Sequence, residues 1–292
     1  NLYRVEMSVA IPGRPVMNMA GVPYPMAAAM RDEVPGVTGK TRLFQKSMTL
    51  AAGDRRFSEP VNSVDPEFFS LIRLPLLAGN PGEVLRQPQS IVLTERAAQK
   101  YFGAADPLGK FITTSPGDCA GGPCQDRPLA LKVTGIMRDL PHNTQLTGDA
   151  FIPNTSLADR MSPESKQDWL SSGGWSYVSL APGTDPQAVV ASMAPMLDRT
   201  VTPALRKFGV PAAASKIFHI HLTPFTQVHL SSGQWQFNMT PAGSWLTVYG
   251  VAAVGVMILL VACFNFMNLA TARAILRARE IAKRKVLGAL GA

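Results

Sequence analysis

His219 and His221 stand two residues apart, and His229 follows. On a strand, the first two share a face. Three imidazoles in such an arrangement are the chemistry of zinc or copper binding. No carboxylate or cysteine lies near in sequence to complete or orient them, so half-buried strand histidines are the simpler reading. Asp139 and His142 flank a proline turn with no nucleophile beside them. Gly-x-Ser-x-Gly, His-Glu-x-x-His and paired acids at a catalytic spacing are absent from the sequence. Two fragments imitate nucleotide loops. Gly39-Lys40-Thr41 resembles the end of a phosphate loop, but the glycine required five positions before Gly39 is Val34. Leu230-Ser231-Ser232-Gly233-Gln234 imitates an ATPase signature loop, yet no aspartate follows Asp198 to hold magnesium. Catalytic, cofactor-binding and metal-binding residues are therefore not expected, nor is enzymatic activity in this chain.

Cys119 and Cys124 close a short loop, CAGGPC. In an oxidising compartment a disulfide is expected there, contributing roughly 2 kcal/mol for so short a loop. The alternative is two free thiols; a zinc site lacks further local ligands. Cys263 lies in an apolar run and reads as a packing residue.

The element that must place everything else is that apolar run. Residues 245–269, WLTVYGVAAVGVMILLVACFNFMNL, carry no charged side chain. As a helix they span about 37 Å, against a hydrocarbon core of roughly 30 Å. Hydrocarbon offers backbone groups no water, so a helix is the expected conformation. Trp245 and Tyr249 are placed to anchor its entry at the membrane interface, the alternative being packing in an outer core. Six of the 28 Lys and Arg residues lie within 273–292 beside a single acid, Glu280. By the positive-inside rule that end faces the cytoplasm and residues 1–244 lie on the other side. The net charge of +8 is thus largely a feature of the basic end, which argues against a nucleic-acid-binding face. Asn1-Leu2-Tyr3-Arg4-Val5 offers no signal peptide, so an earlier membrane helix is expected to precede residue 1.

Composition before residue 245 is that of a folded domain: 46% hydrophobic and 16% charged over the whole chain argue against disorder. Alternation predicts strands at 3–11, 37–52, 57–64, 90–93, 109–114, 129–137, 148–153, 175–180 and 216–223. Helices are predicted over 24–34, over 66 onward with Asp65 as N-cap and Phe68, Phe69, Ile72 and Leu76 as the buried stripe, over 94–102 with Thr94 as N-cap, and over 185–207. Residues 154–174 read as a polar connection. The order points to an α+β fold of mixed sheets with helices, in which a middle block is inserted as a second lobe.

Asn265-Phe266-Met267-Asn268-Leu269 with Ala272-Arg273, followed by Arg277, Arg279-Glu280-Ile281, Arg284-Lys285 and Leu287-Gly288-Ala289, resembles the FtsX-type permease segment of MacB-like ABC transporters. Val64-Asp65-Pro66-Glu67-Phe68-Phe69, Leu74 to Gly79, Ile91 to Glu95, Tyr101-Phe102-Gly103, Asp106 to Lys110 and Val133 to Ile136 are similar to the periplasmic core domain of the same family. The Cys119–Cys124 insertion departs from it. The resemblance implies a two-lobed extracytoplasmic domain followed by a transmembrane helix. Residues 1–80 and 170–232 would form a membrane-proximal lobe, 81–169 the inserted lobe, 245–269 the second membrane helix and 270–292 a basic cytoplasmic coupling segment. It further implies a bacterial inner-membrane location, contact with a separate ABC ATPase subunit through Arg277, Arg279, Glu280, Lys283, Arg284 and Lys285, a second permease copy or homologous half, membrane lipid around the span and a periplasmic partner protein. ATP hydrolysis in the separate subunit would move the outer domain to export a substrate. The competing reading is a membrane-anchored extracytoplasmic sensor or ligand-binding domain.

Overall fold

The computed structural model describes residues 1–115, 128–141 and 144–288. Cys119, Cys124 and His142 lie outside the described residues, as does the end of the basic segment from residue 289. The chain divides into two compact units, 1–242 and 243–292.

In the first unit the order is β1 (Leu2–Val9), β2 (Met17–Met19), β3 (Val22–Pro23), α1 (Met26–Glu33), β4 (Val37–Ala52), β5 (Arg55–Val64), α2 (Phe68–Ile72) and β6 (Leu76–Ala78). There follow β7 (Ser90–Thr94), α3 (Glu95–Phe102), β8 (Phe111–Thr114), β9 (Ala130–Met137), β10 (Ala150–Pro153), α4 (Pro163–Lys166) and β11 (Ser172–Leu180). The unit ends with α5 (Pro186–Ser192), α6 (Ala194–Thr200), α7 (Thr202–Lys207), β12 (Phe218–Pro224) and α8 (Val228–Ser231). The second unit is one helix, α9 (Trp245–Val286).

The strands form a single mixed sheet in the order β12-β1-β11-β4-β5-β10-β7-β9-β6. Only β5–β10 and β7–β9 run parallel among its described pairs. The 16-residue β4 turns into β5 through Gly53-Asp54, with Gly53 at φ 58°, the positive angle that a two-residue hairpin turn asks of its first central residue. The first part of β4 pairs with β11, while Leu50 and Ala51 pair with β8. Because β8 also pairs with β9, the strands β4, β5, β10, β7, β9 and β8 close on themselves. That ring encloses one core, built on Met48, Leu50, Ile91, Leu93, Leu131 and Ile152. A second core lies under β1, β11 and β12 and holds Val5, Met7, Met30, Val178, Leu197 and Ile220. A third lies around Phe68, Phe69 and Phe151, whose rings stand 5.4–5.7 Å apart.

Local structure follows the sequence closely in most places. Thr94 Oγ1 accepts from the Ala97 amide and caps α3, and Gly103, at φ 62°, ends it. Three expectations are corrected. Asp65 does not cap α2: the cap position is Glu67, which makes no side-chain capping bond, and the Asp65 carboxylate is spent on cations. Leu76 belongs to β6, not to the helical stripe. The segment 185–207 is three short helices, because Pro195 and Pro203 each take an early position of a new helix; proline cannot donate to the preceding turn. The stretch 154–174 also holds a 3-10 turn at Asn154–Arg160, α4 and the first residues of β11.

Candidate functional site

The sequence features with a functional reading are in α9, taken here by itself. It runs 42 residues, about 63 Å at the helical rise. Every described residue along it is exposed, including Leu246, Val251, Ile258, Leu259 and Phe266. So much uncovered aliphatic surface on one helix calls for a cover of lipid or of other helices. It is long and apolar enough to cross a membrane. Trp245 and Tyr249, one turn apart, stack at 5.7 Å between centroids and 25° between planes, so both rings lie on one side of its first turns.

At the other end stand Arg277, Arg279, Lys283, Arg284 and Lys285, all exposed. Glu280 accepts from Arg284 Nη2 at 2.7 Å, an i,i+4 pair with the acid on the N-terminal side. Arg279 and Lys283, one and three residues from Glu280, make no ion pair among the described residues. An exposed pair of this kind contributes only about 0.3–0.5 kcal/mol. The cationic end is therefore shaped by charge density, with little internal compensation.

In the outer unit, two buried ionic clusters hold the strands that lead toward this helix in sequence. Arg4, Glu6 and Ser8 share one face of β1, opposite the apolar face formed by Val5, Met7 and Val9. Arg4 and Glu6 are only 1% and 0% exposed. Arg4 donates to Glu6 Oε1 through Nε at 2.7 Å and through Nη2, and to Asn238 Oδ1 through Nη1 at 3.1 Å. Thr223 of β12 donates to Glu6 Oε2 at 2.6 Å. Beside them His221 Nε2 lies 3.1 Å from Ser8 Oγ, with the Trp235 ring 5.1 Å from the imidazole. Residues 235–238, part of the segment that precedes α9, thus pack over the Arg4 end of this face, with Asn238 on Arg4 and Trp235 beside His221.

The second cluster is Asp65. Its carboxylate accepts from Lys40 Nζ at 2.9 Å, Arg42 Nη2 at 2.7 Å, the Arg42 amide at 2.9 Å and Asn154 Nδ2 at 3.1 Å. Ser63 donates to Asn154 Oδ1 at 2.5 Å. Burial opposes ionisation of Asp65, but Arg42 and Lys40 outweigh it and hold its carboxyl below the ordinary aspartate range. The Arg42 guanidinium also lies over the Tyr24 ring, 4.2 Å from its centroid. Lys40, the lysine of the phosphate-loop imitation, is therefore a strand residue in an ion pair, and Gly39-Lys40-Thr41 lies inside β4. Leu230 to Gln234 lies in α8 and the 3-10 turn after it.

His219 and His221 do share a face of β12, as alternation predicts, whereas His229 stands 3.4 Å from Gln145 Nε2 by its Nδ1. Among the described residues no group of three or more His, Cys, Asp or Glu is placed to hold a metal ion. Sequence reasoning missed Arg4, Glu6 and Asn238, and gave Asp65 a capping role in place of its ion pairs. A signal was present for the first two: opposite charges at i and i+2 within an otherwise apolar strand can only be tolerated buried if they pair.

A sheet-rich mixed α/β body is followed by one long apolar helix that is a candidate membrane span. The profile of the MacB-like periplasmic core domain matches residues 1–196, and the chain belongs to that family. Strand β12 and the cover over the Arg4 cluster lie beyond the matched range. Among solved structures, a domain of a protein described as a permease from Porphyromonas gingivalis is similar at 25% identity and a TM-score of 0.60, covering 77% of this chain and 89% of that one. The extracellular domain of the noncanonic ABC-type transporter YknZ from Gram-positive bacteria aligns at 14% identity and a TM-score of 0.47, covering 77% of this chain and 100% of that one. The periplasmic region of MacB from Actinobacillus actinomycetemcomitans aligns at 15% and 0.44, covering 77% and 90%. A search of curated proteins found no match. Members of the family work with ABC ATPase partners in transporter complexes.

Proposed function

We propose that this chain is the periplasmic core and second membrane helix of a MacB-like ABC transporter permease. Residues 1–244 lie outside the inner membrane, in a lobe of 1–80 with 170–232 and an inserted lobe of 81–169 whose ring of strands closes on β4 and β5 of the first. Residues 245–269 span the bilayer, with Trp245 and Tyr249 at its outer interface. Residues 270–292 enter the cytoplasm, where Arg277, Arg279, Glu280, Lys283, Arg284 and Lys285 meet a separate ATPase subunit. ATP hydrolysis there moves the outer body through a continuous helix, and a second permease copy or homologous half completes the transporter. The observation that carries the reading is the unbroken helix from Trp245 to Val286, apolar for its first 25 residues and cationic at its end. A helix is stiff enough to transmit displacement from one side to the other.

Changing Arg279, Lys283 and Arg284 together to glutamate tests the coupling role. Arg273, Arg277 and Lys285 remain to hold orientation. The expected result is loss of a co-purifying ABC ATPase, identified by mass spectrometry, and loss of transport, with the chain still resistant to carbonate extraction. An ATPase complex and transport at wild-type levels would reject coupling through this face.

A further inference from the structure

The outer unit holds a groove of about 770 Å³ between the start of β11, the loop after β1 and the residues around α7 and β12. Its volume falls in the range of roughly 300–1,000 Å³ in which proteins hold drug-sized molecules. Val9, Ile11, Leu205 and Ile217 give it an aliphatic wall. Part of its floor is bare backbone: a Cβ on Gly21 would come within 2.8 Å of the Gly174 carbonyl oxygen, and one on Gly174 within 2.7 Å of the Leu43 carbonyl oxygen. Close strand packing closes both positions to side chains.

The lip is unusual for a surface facing water. Phe208 is 76% exposed, Phe237 71% and Met17 42%. Phe237 has φ 61°, a left-handed conformation costly for a bulky residue. It is held there by Trp175 Nε1 donating to its carbonyl at 3.0 Å, by the Gln236 amide on Asn18 and by Asn238 Nδ2 on Trp235. Backbone strain fixed by surrounding bonds, presenting an aromatic ring at the mouth of an apolar groove, is the kind of strain found at ligand clamps. Among the described residues Arg14 is the only charged one lining the groove, and there it is exposed with no carboxylate partner.

We propose that this groove binds a small, diffusible amphipathic anion. Its apolar body lies against the aliphatic wall under Phe208 and Phe237, and its carboxylate, sulfonate or phosphate pairs with the Arg14 guanidinium. The inference goes beyond the transporter reading and concerns the outer body alone, so binding here and coupling through α9 stand or fall separately.

The test is a fluorescence titration of the full chain in phosphatidylcholine nanodiscs, with empty discs subtracted. The anionic probe is 8-anilinonaphthalene-1-sulfonate and the neutral one is N-phenyl-1-naphthylamine. One saturable site per chain is expected for the anion. Arg14→Glu should weaken the anion by about tenfold or more, the effect of losing a hydrogen bond to a charged group, while leaving the neutral probe unchanged. Phe237→Gly, which suits the positive φ and so keeps the fold, should weaken both probes. An Arg14→Glu chain that binds the anion as well as wild type, or a wild-type chain without a saturable site, overturns the proposal. Discs containing phosphatidylglycerol should leave the titration unchanged; displacement of the probe by that lipid would reassign the groove to a headgroup.

Discussion

Glu6→Leu is expected to lower the stability of the outer body by about 3–5 kcal/mol, because it strands the buried Arg4 guanidinium without its counter-charge. Among the described residues Arg4 keeps only Asn238 as a hydrogen-bond partner in that variant, and a single neutral acceptor does not replace a carboxylate that takes two of its N–H groups. Thr223 loses its acceptor at the same time. Exchanging both members, Arg4→Met with Glu6→Leu, should recover most of the loss, since an apolar pair of similar size is often neutral or better. The double change should still alter one property: the cover over the β1–β12 face loses its tie at Asn238 and should exchange amide hydrogens faster at 235–238. The measurement is urea unfolding of the full chain in detergent, followed by the tryptophans at 169, 175 and 235, together with hydrogen exchange. A single variant less than about 1 kcal/mol below wild type would show that the pair does not carry a buried charge.

The Asp65 cluster predicts a pH dependence with a definite sign. Its folded pKa lies below the unfolded value of about 3.9. The stability it contributes is therefore fully present above that unfolded value, and is lost as pH falls through the folded one. Asp65→Asn leaves Arg42 and Lys40 facing a neutral amide and should cost about 3 kcal/mol at pH 7, the lower end for breaking a buried pair, as Lys40 is partly exposed. The gap between wild type and Asp65→Asn should stay constant from pH 7 to about pH 5 and shrink below about pH 4. Urea midpoints across that range measure it. A gap that persists unchanged to pH 2 would place the cost in packing instead of charge.

Much of the fold could be read because the relevant physics is local. Thr94, Gly53 and Gly103 act through their own backbone neighbours, and the strand alternation at Tyr3–Val9 and Val37–Ala52 needs no knowledge of a partner. The corrected elements failed where a distant residue or a proline decided the outcome. Asp65 sits in a plausible capping position, but Lys40 and Arg42 on the adjacent strand compete for it and win, since two cations outweigh backbone amides. Pro195 and Pro203 interrupt a helical pattern whose apolar periodicity runs straight through them. The closed ring of strands was not legible, because it depends on the four residues of β8 pairing with two strands at once. In the apolar helix the reverse holds: 25 residues without a charge, followed by a basic cluster, are legible from composition alone. The Arg4 cluster and the groove around Phe237 were hidden because residues 235–238 come into contact with β1, β2 and β11 only in three dimensions.

Sidedness underlies the account. Single cysteines at Asp54, on the tip of the β4–β5 hairpin, and at Lys285, in a chain with Cys119, Cys124 and Cys263 replaced by serine, can be challenged with a membrane-impermeant maleimide in intact spheroplasts. Asp54→Cys should react at once and Lys285→Cys only after permeabilisation. Protection at position 54 with ready labelling at 285 would place the folded body in the cytoplasm and contradict the assignment.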